Sequence, residues 1–235
     1  MTKLKYLLWA VLAVTLASSC KKVVNSAPPS QITYLPKMDM KGDAFIDVPC
    51  GETFTDPGIV VTESGQTIPH TEDISGSYFG DSVVAGPDLY TIAYKAVNKD
   101  GIPGSAFRTV LVEPCKTDST DLSGLYSMYV LRADGEEYTD LLYGFVVKVG
   151  ANQYALSDCI GGFYDLGRGY GSDYAAKGAV LTVNGSNITA TDGVVPGFDL
   201  LAELSNITID SDGKISFTAT NAMYGLEWQV VYTPL

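Results

Sequence analysis

The segment from residue 161 to residue 174 carries the side chains best suited to binding chemistry. It reads Gly-Gly-Phe-Tyr-Asp-Leu-Gly-Arg-Gly-Tyr-Gly-Ser-Asp-Tyr. Aromatic rings can stack on the apolar face of a sugar, and charged groups can exchange hydrogen bonds with its hydroxyls. The sequence therefore predicts a ligand-binding loop whose contact residues are Tyr164, Asp165, Arg168, Tyr170, Asp173 and Tyr174. The alternative is an irregular loop whose tyrosines pack on a sheet and whose glycines supply positive φ angles.

Other reactive residue types do not form a catalytic pattern. Asp158 lies beside Cys159, but a cysteine nucleophile needs a base, and the only histidine, His70, lies in the other half of the chain. Glu136 and Glu137 are neighbours in an expected strand, where successive side chains point to opposite faces. They therefore cannot act together as acid and base. Without a CxxC pair, a metal site of His and Cys is not predicted. We expect no enzyme and no cofactor, while hydrolysis by a scattered carboxylate pair stays open.

The elements that would position the binding loop are β-strands. Residues 89–97 alternate well, with Tyr90, Ile92, Tyr94 and Ala96 on one face. Short alternating runs separated by Gly, Pro and Asp, with no helical period, predict an all-β protein. In the C-terminal half, strands are expected at 125–131, 142–149, 152–157, 177–183, 187–190, 204–209 and 213–219. This Gly/Tyr-rich domain, residues 121–235, is predicted to be an antiparallel barrel-like sheet, with a second sandwich as the alternative.

The formal charge of the chain is −12, with a pI near 4.3. The negative electrostatic field of a chain with this charge repels a polyanion, so nucleic acid is not expected as a partner. The charge mainly favours solubility.

The N-terminus is typical of an exported protein. Lys3 and Lys5 precede an apolar run of about eleven residues, which is too short to span a bilayer, so residues 1–19 are predicted to be a signal peptide. Small residues running into Cys20 resemble the lipobox of bacterial lipoproteins. That resemblance implies lipidation of Cys20 and attachment to a membrane through an N-terminal lipid. The alternative is an ordinary secreted protein.

Residues 20–43 lack periodicity and are expected to form a tether.

Four elements in order resemble the bacterial Ig-like repeat of cell-surface proteins. They are Gly51-Glu-Thr-Phe-Thr-Asp-Pro-Gly58, the strand that begins at Tyr90, the turn Asp100-Gly101, and Arg108-Thr-Val-Leu-Val112. The usual Gly-Thr-Tyr is interrupted by two extra residues at Gly86–Tyr90, which should lie in a loop. The resemblance implies an Ig-like β-sandwich at residues 44–116 that serves as a spacer and carries no chemistry.

This resemblance also implies a disulfide between Cys50 and Cys115. Each cysteine follows a proline at a strand end, and the first and last strands of Ig-like sandwiches run side by side in parallel. The two ends should therefore lie level. The alternative is two reduced cysteines. Cys159 is expected to be free and buried.

The whole chain resembles the DUF5012-type lipoproteins of Bacteroidetes, which join an Ig-like module to a Gly/Tyr-rich β-domain. The resemblance implies a non-catalytic outer-membrane lipoprotein, on the surface or periplasmic face of the cell envelope. Such a protein would bind glycan as an accessory component of an outer-membrane nutrient-import system, with importer proteins as partners. The alternative is a structural or assembly lipoprotein that contacts a protein partner and binds no small ligand.

Overall fold

The computed structural model of the chain describes residues 32–80 and 82–235. The predicted signal peptide, Cys20 and the first half of the predicted tether lie outside this range. Residues Leu35–Leu235 form one compact unit. About 53% of the structure is strand and 4% is helix, which confirms the all-β prediction.

The N-terminal domain is a sandwich of two small sheets. Its strands are β1 (Lys37–Met40), β2 (Phe45–Val48), β3 (Ile59–Glu63), β4 (Gln66–Thr67), β5 (Thr71–Gly76), β6 (Asp88–Val97) and β7 (Pro103–Val112). One sheet has the order β1-β3-β4 and the other β2-β7-β6-β5. β1 lies within the predicted tether of residues 20–43. The tether prediction is wrong at that end, because antiparallel pairing with β3 includes β1 in the sandwich.

The core of the sandwich follows the period-2 pattern of β6. Tyr90, Ile92 and Tyr94 are buried on one face of the strand, and Val61 and Val110 pack from β3 and β7. β2 and β7 run in parallel, as the Ig-like resemblance implied.

The C-terminal domain is one antiparallel sheet that curls toward a barrel. Its strands are β8 (Gly124–Arg132), β9 (Glu137–Gly150), β10 (Gln153–Leu156), β11 (Val180–Asn184), β12 (Asn187–Ala190), β13 (Gly193–Val195), β14 (Leu200–Ile209), β15 (Ile215–Asn221) and β16 (Leu226–Pro234). Within the described residues their order is β12-β11-β10-β9-β8-β16-β15-β14-β13. Lys177, just ahead of β11, exchanges two backbone hydrogen bonds of 2.8 and 2.9 Å with Val194 of β13. This bridge joins the two sides of the curled sheet, and the barrel-like prediction is confirmed.

The interior of the barrel is filled from two sources. Alternate residues of the central strands point inward, including Met128 and Val130 of β8 and Trp228 and Val230 of β16. The chain between β10 and β11, residues 157–179, also enters this core. We call this segment the plug. It fills the end of the barrel at which β8 finishes and β16 begins.

Candidate functional site

The predicted ligand-binding loop is the central part of the plug. Gly161 and Gly162 have φ angles of 67° and 75°, and a Cβ at these positions would press on Val130 and Met128. Glycine is the residue that tolerates both conditions. The two glycines turn the chain into the barrel, where a π-helical turn follows at Phe163–Gly167.

Arg168 forms its contacts with other side chains of the protein and does not face a cavity. Its Nε donates to Glu136 Oε1 at 3.0 Å, and its guanidinium lies 5.1 Å from the ring centre of Phe163. Arg132 lies 4.7 Å from the same ring and also donates to Glu136. The hydrogen bonds from Arg168 and Tyr138 lower the pKa of Glu136 to about 2. Arg168 therefore fixes the plug to the β8–β9 turn, a role that differs from the predicted contact with ligand hydroxyls.

Asp165 is likewise engaged, in this case by the Ig-like domain. It is buried and accepts a hydrogen bond of 2.8 Å from the hydroxyl of Tyr78. Burial raises the pKa of Asp165, and the bond from Tyr78 opposes that shift. The expectation that Asp165 faces a ligand is corrected by this geometry, since the carboxylate lies between the two domains.

The three predicted tyrosines do come together. The rings of Tyr164 and Tyr170 stack with centres 6.2 Å apart and planes 12° apart. Tyr174 packs edge-on against Tyr170 at 5.4 Å. Tyr164 is buried, whereas Tyr170 is 49% exposed and Asp173 is exposed beside it. One ring of the stacked pair therefore remains accessible to a ligand.

A cleft of about 380 Å³ lies over this cluster. It is lined by Tyr164, Phe198, Leu200, Tyr224 and Leu226. The ring of Phe198 contacts Tyr164 at 4.8 Å and Tyr174 at 5.2 Å, which joins the cleft to the tyrosine cluster. We call the cleft together with Tyr170 the aromatic cleft.

Sequence reasoning missed most of the lining of this cleft. Phe198 lies in the β13–β14 turn and Tyr224 in the β15–β16 turn, and they are 42% and 63% exposed. The sequence did contain a signal for these two residues. Hairpin turns are usually polar, so an aromatic residue in such a turn is unusual. What the sequence could not show is that the two turns and the plug meet at one end of a barrel.

Asp158 and Cys159, near the start of the plug, are both buried. Burial raises the pKa of Asp158 to about 7, although a backbone N–H from Ile160 bonds its Oδ1 at 2.8 Å. Burial and the charge of Asp158 raise the pKa of the Cys159 thiol well above its usual value. The thiol therefore stays protonated at neutral pH, and this pair is not arranged for nucleophilic chemistry.

The part of the chain that the structure describes, residues 32–80 and 82–235, offers neither a metal-ligand cluster nor a membrane-spanning helix. In this part of the chain no three His, Cys, Asp or Glu side chains are grouped to hold a metal ion. Among the same residues, no helix combines the length and the hydrophobicity that a membrane span requires.

Comparisons with known proteins agree with this two-domain architecture. A model of the Ig-like domain of bacterial surface proteins matches residues 38–112, and a second family model, of a C-terminal domain, matches residues 116–234. The structure is similar to the crystal structure of the lipoprotein BT2262 from Bacteroides thetaiotaomicron, with a TM-score of 0.57 and 25% identity. That match covers 85% of this chain and 100% of the other. No curated protein matched the chain. Neither matched family is a known enzyme family.

The C-terminal family model alone covers half of the chain. The protein therefore belongs to the family that this C-terminal-domain model describes, and it carries a bacterial surface Ig-like domain ahead of that domain.

Proposed function

We propose that the protein is a non-catalytic lipoprotein of the outer membrane that binds glycan through the aromatic cleft. Lipidation at Cys20 attaches it to the membrane, and the Ig-like domain holds the barrel away from the bilayer. In this role it is an accessory component of a nutrient-import system, with importer proteins as partners. The similarity to a Bacteroides lipoprotein supports the placement in the cell envelope.

The observation that carries the proposal is the set of exposed rings around one cleft. Tyr170, Phe198 and Tyr224 are held on the plug and on two hairpin turns, all anchored to one barrel. A rigid ring loses little conformational entropy when a sugar stacks on it. Asp165 and Arg168 are not part of the proposed contact, since each already has a partner within the protein.

A glycan array followed by calorimetry on the glycans it identifies tests the proposal. We expect Phe198→Ala and Tyr224→Ala each to weaken binding by about 1–3 kcal/mol, the range for truncation of an anchor ring. Tyr170→Ala should have a smaller effect, because its partner ring Tyr164 remains. Phe107→Ala is the matched control, since it removes an exposed ring from the Ig-like domain. Unchanged affinity in the cleft variants, or an equal loss in the control, would contradict the proposal.

A protein partner is the second candidate for the same surface. Met223, in the turn beside Tyr224, is 82% exposed, and the cleft itself is lined by aromatic and leucine side chains. Exposed apolar patches of this kind also mark protein contacts. A protein partner would be favoured if Met223→Glu abolishes co-purification of an importer protein while no glycan binds the wild type.

A further inference from the structure

A larger cavity lies at the end of the barrel opposite the plug. Its volume is about 740 Å³, within the range of small-molecule sites. It is enclosed by the linker ahead of β8 and by three hairpin turns, at Asn152, at Gly185–Ser186 and at Asp210–Gly213. The aromatic cleft shares no lining residue with it.

The cavity exists because the plug fills only one end of the barrel. Tyr126 and Tyr154 are the inward residues at the open end, and they form its floor. On β14 the pairing with β15 shifts between Ser205 and Thr208, with Asn206 at a φ of 53°. Such a bulge bends a strand and is common at barrel rims and beside binding sites. Here it leads into residues 207–210, which form part of the wall.

One wall of the cavity is fixed before any ligand arrives. The Asp121 carboxylate accepts hydrogen bonds from Thr117 N, Thr117 Oγ1 and Ser123 N, at 2.6 to 2.9 Å, and pairs with Lys148 at 3.3 Å. Burial acts to raise the pKa of Asp121, but these hydrogen bonds outweigh it and hold the pKa well below its usual value. The linker is therefore a rigid wall, which lowers the entropy cost of binding.

The opposite rim is also held by its own hydrogen bonds. Asp210 Oδ1 accepts from the backbone N–H groups of Asp212 and Lys214 at 2.9 and 3.0 Å. This turn therefore presents its carboxylates in a set geometry.

The lining indicates the chemical class of the ligand. Hydroxyl and amide groups from Ser119, Thr120, Asn152 and Ser186 alternate with aliphatic side chains such as Ile188 and Ile207. Three aspartates and one lysine line the cavity, so the local charge disfavours an anion. The polar and the aliphatic side chains of the lining together suit a ligand with many hydroxyls and apolar C–H faces.

We propose that this cavity, which we call the linker cavity, is a second binding site that accepts one or two rings of a neutral sugar. This site does not depend on the proposed function of the aromatic cleft.

Methyl NMR on the mature chain tests the proposal, with Cys20→Ala in place of the lipid. Ile188, Ile207 and Ile209 line the linker cavity, whereas Leu200 and Leu226 line the aromatic cleft, so the assigned methyls of these five residues report on the two sites separately. The probes are maltose, cellobiose, lactose and N,N′-diacetylchitobiose, with digalacturonic acid as the anionic comparison. We expect at least one neutral disaccharide to shift the three isoleucine methyls in a saturable manner, and digalacturonic acid not to shift them.

Ser186→Trp places a large ring into the linker cavity from an exposed turn and should weaken that binding at least tenfold. Ala133→Trp adds the same ring to an exposed turn outside both sites and should bind as the wild type does. The proposal is overturned if no neutral disaccharide shifts the isoleucine methyls, if the anion shifts them equally, or if Ser186→Trp binds normally. Shifts confined to the methyls of Leu200 and Leu226 would support the aromatic cleft and refute the linker cavity. Shifts confined to Ile188, Ile207 and Ile209 would support the linker cavity and leave the aromatic cleft to its own test.

Discussion

At the residue scale, a buried ion pair explains two residues of the Ig-like pattern. Arg108 has no exposed side-chain surface, and its Nε lies 3.3 Å from Asp56 Oδ1. Arg108 also donates to the carbonyl of Lys41 at 2.6 Å, and Tyr94 donates to Asp56 at 2.6 Å. The aspartate of Asp-Pro-Gly and the arginine of the last strand therefore hold together the loops that precede and follow β2.

Removing the negative partner should destabilise the Ig-like domain. Asp56→Asn leaves the guanidinium of Arg108 buried without its countercharge, a change that typically costs about 3–5 kcal/mol. The loss of stability is measured as the difference in the free energy of unfolding in urea between the variant and the wild type. Asp39→Asn is the control, because its pair with Lys37 is exposed and should contribute at most about 1 kcal/mol. Equal effects of the two variants would argue against a structural role for the buried pair.

At the element scale, the parallel pairing of β2 and β7 sets the positions of two cysteines. Val48 pairs with Val112, and Cys50 and Cys115 follow those residues with Cα atoms 5.1 Å apart. The structure joins them in a disulfide that spans 65 residues of sequence. In the chain-entropy model such a bridge stabilises the fold by up to about 4 kcal/mol. Cys159 is free and buried in the other domain.

A thiol count on the denatured, unreduced mature protein tests both this disulfide and the lipid at Cys20. We expect one free thiol, from Cys159, because a thioether at Cys20 and the bridge account for the rest. The control variant Cys159→Ser should give none. Two thiols in the wild type would mean a bridge without lipidation, and three would mean lipidation without a bridge.

At the scale of the whole molecule, the two domains share an aromatic interface. Phe79 and Tyr78, from the β5–β6 loop, contact the buried ring of Phe145 at 6.5 and 5.7 Å. The Asp88 carboxylate holds that loop by accepting hydrogen bonds from the backbone of Tyr78, Phe79 and Gly80. Because Tyr78 also donates to Asp165, the Ig-like domain contacts the plug that carries the aromatic cleft.

Loss of this hydroxyl should weaken the whole fold. Tyr78→Phe keeps the ring but removes a hydrogen bond to a buried carboxyl, with an expected cost of about 1–3 kcal/mol in the free energy of unfolding. Tyr129→Phe removes a comparable bond to Glu137 at the exposed surface and should change stability by less than about 0.5 kcal/mol. A double-mutant cycle with Asp165→Asn isolates the interaction. A coupling near zero would show that the contact does not link the domains.

The sequence by itself determined the features that depend on local pattern. Period-2 alternation and turn residues predicted the strands, and the barrel-like sheet was confirmed. The backbone conformation of the plug glycines was also predictable. Gly161 and Gly162 adopt the positive φ angles expected of glycines in an irregular loop, which was the alternative to a binding loop. Turn chemistry and alternation act between neighbouring residues, so one chain is enough to reveal them.

Only the tertiary structure decided which predicted site residues are bonded within the protein and which remain exposed. Asp165 and Arg168 looked free in sequence, but their partners Tyr78 and Glu136 lie 87 and 32 residues away. Phe198 and Tyr224 join the cleft because two hairpin turns meet the plug at one end of the barrel. Barrel closure brings distant residues together, and no local period in the sequence records which of them will meet.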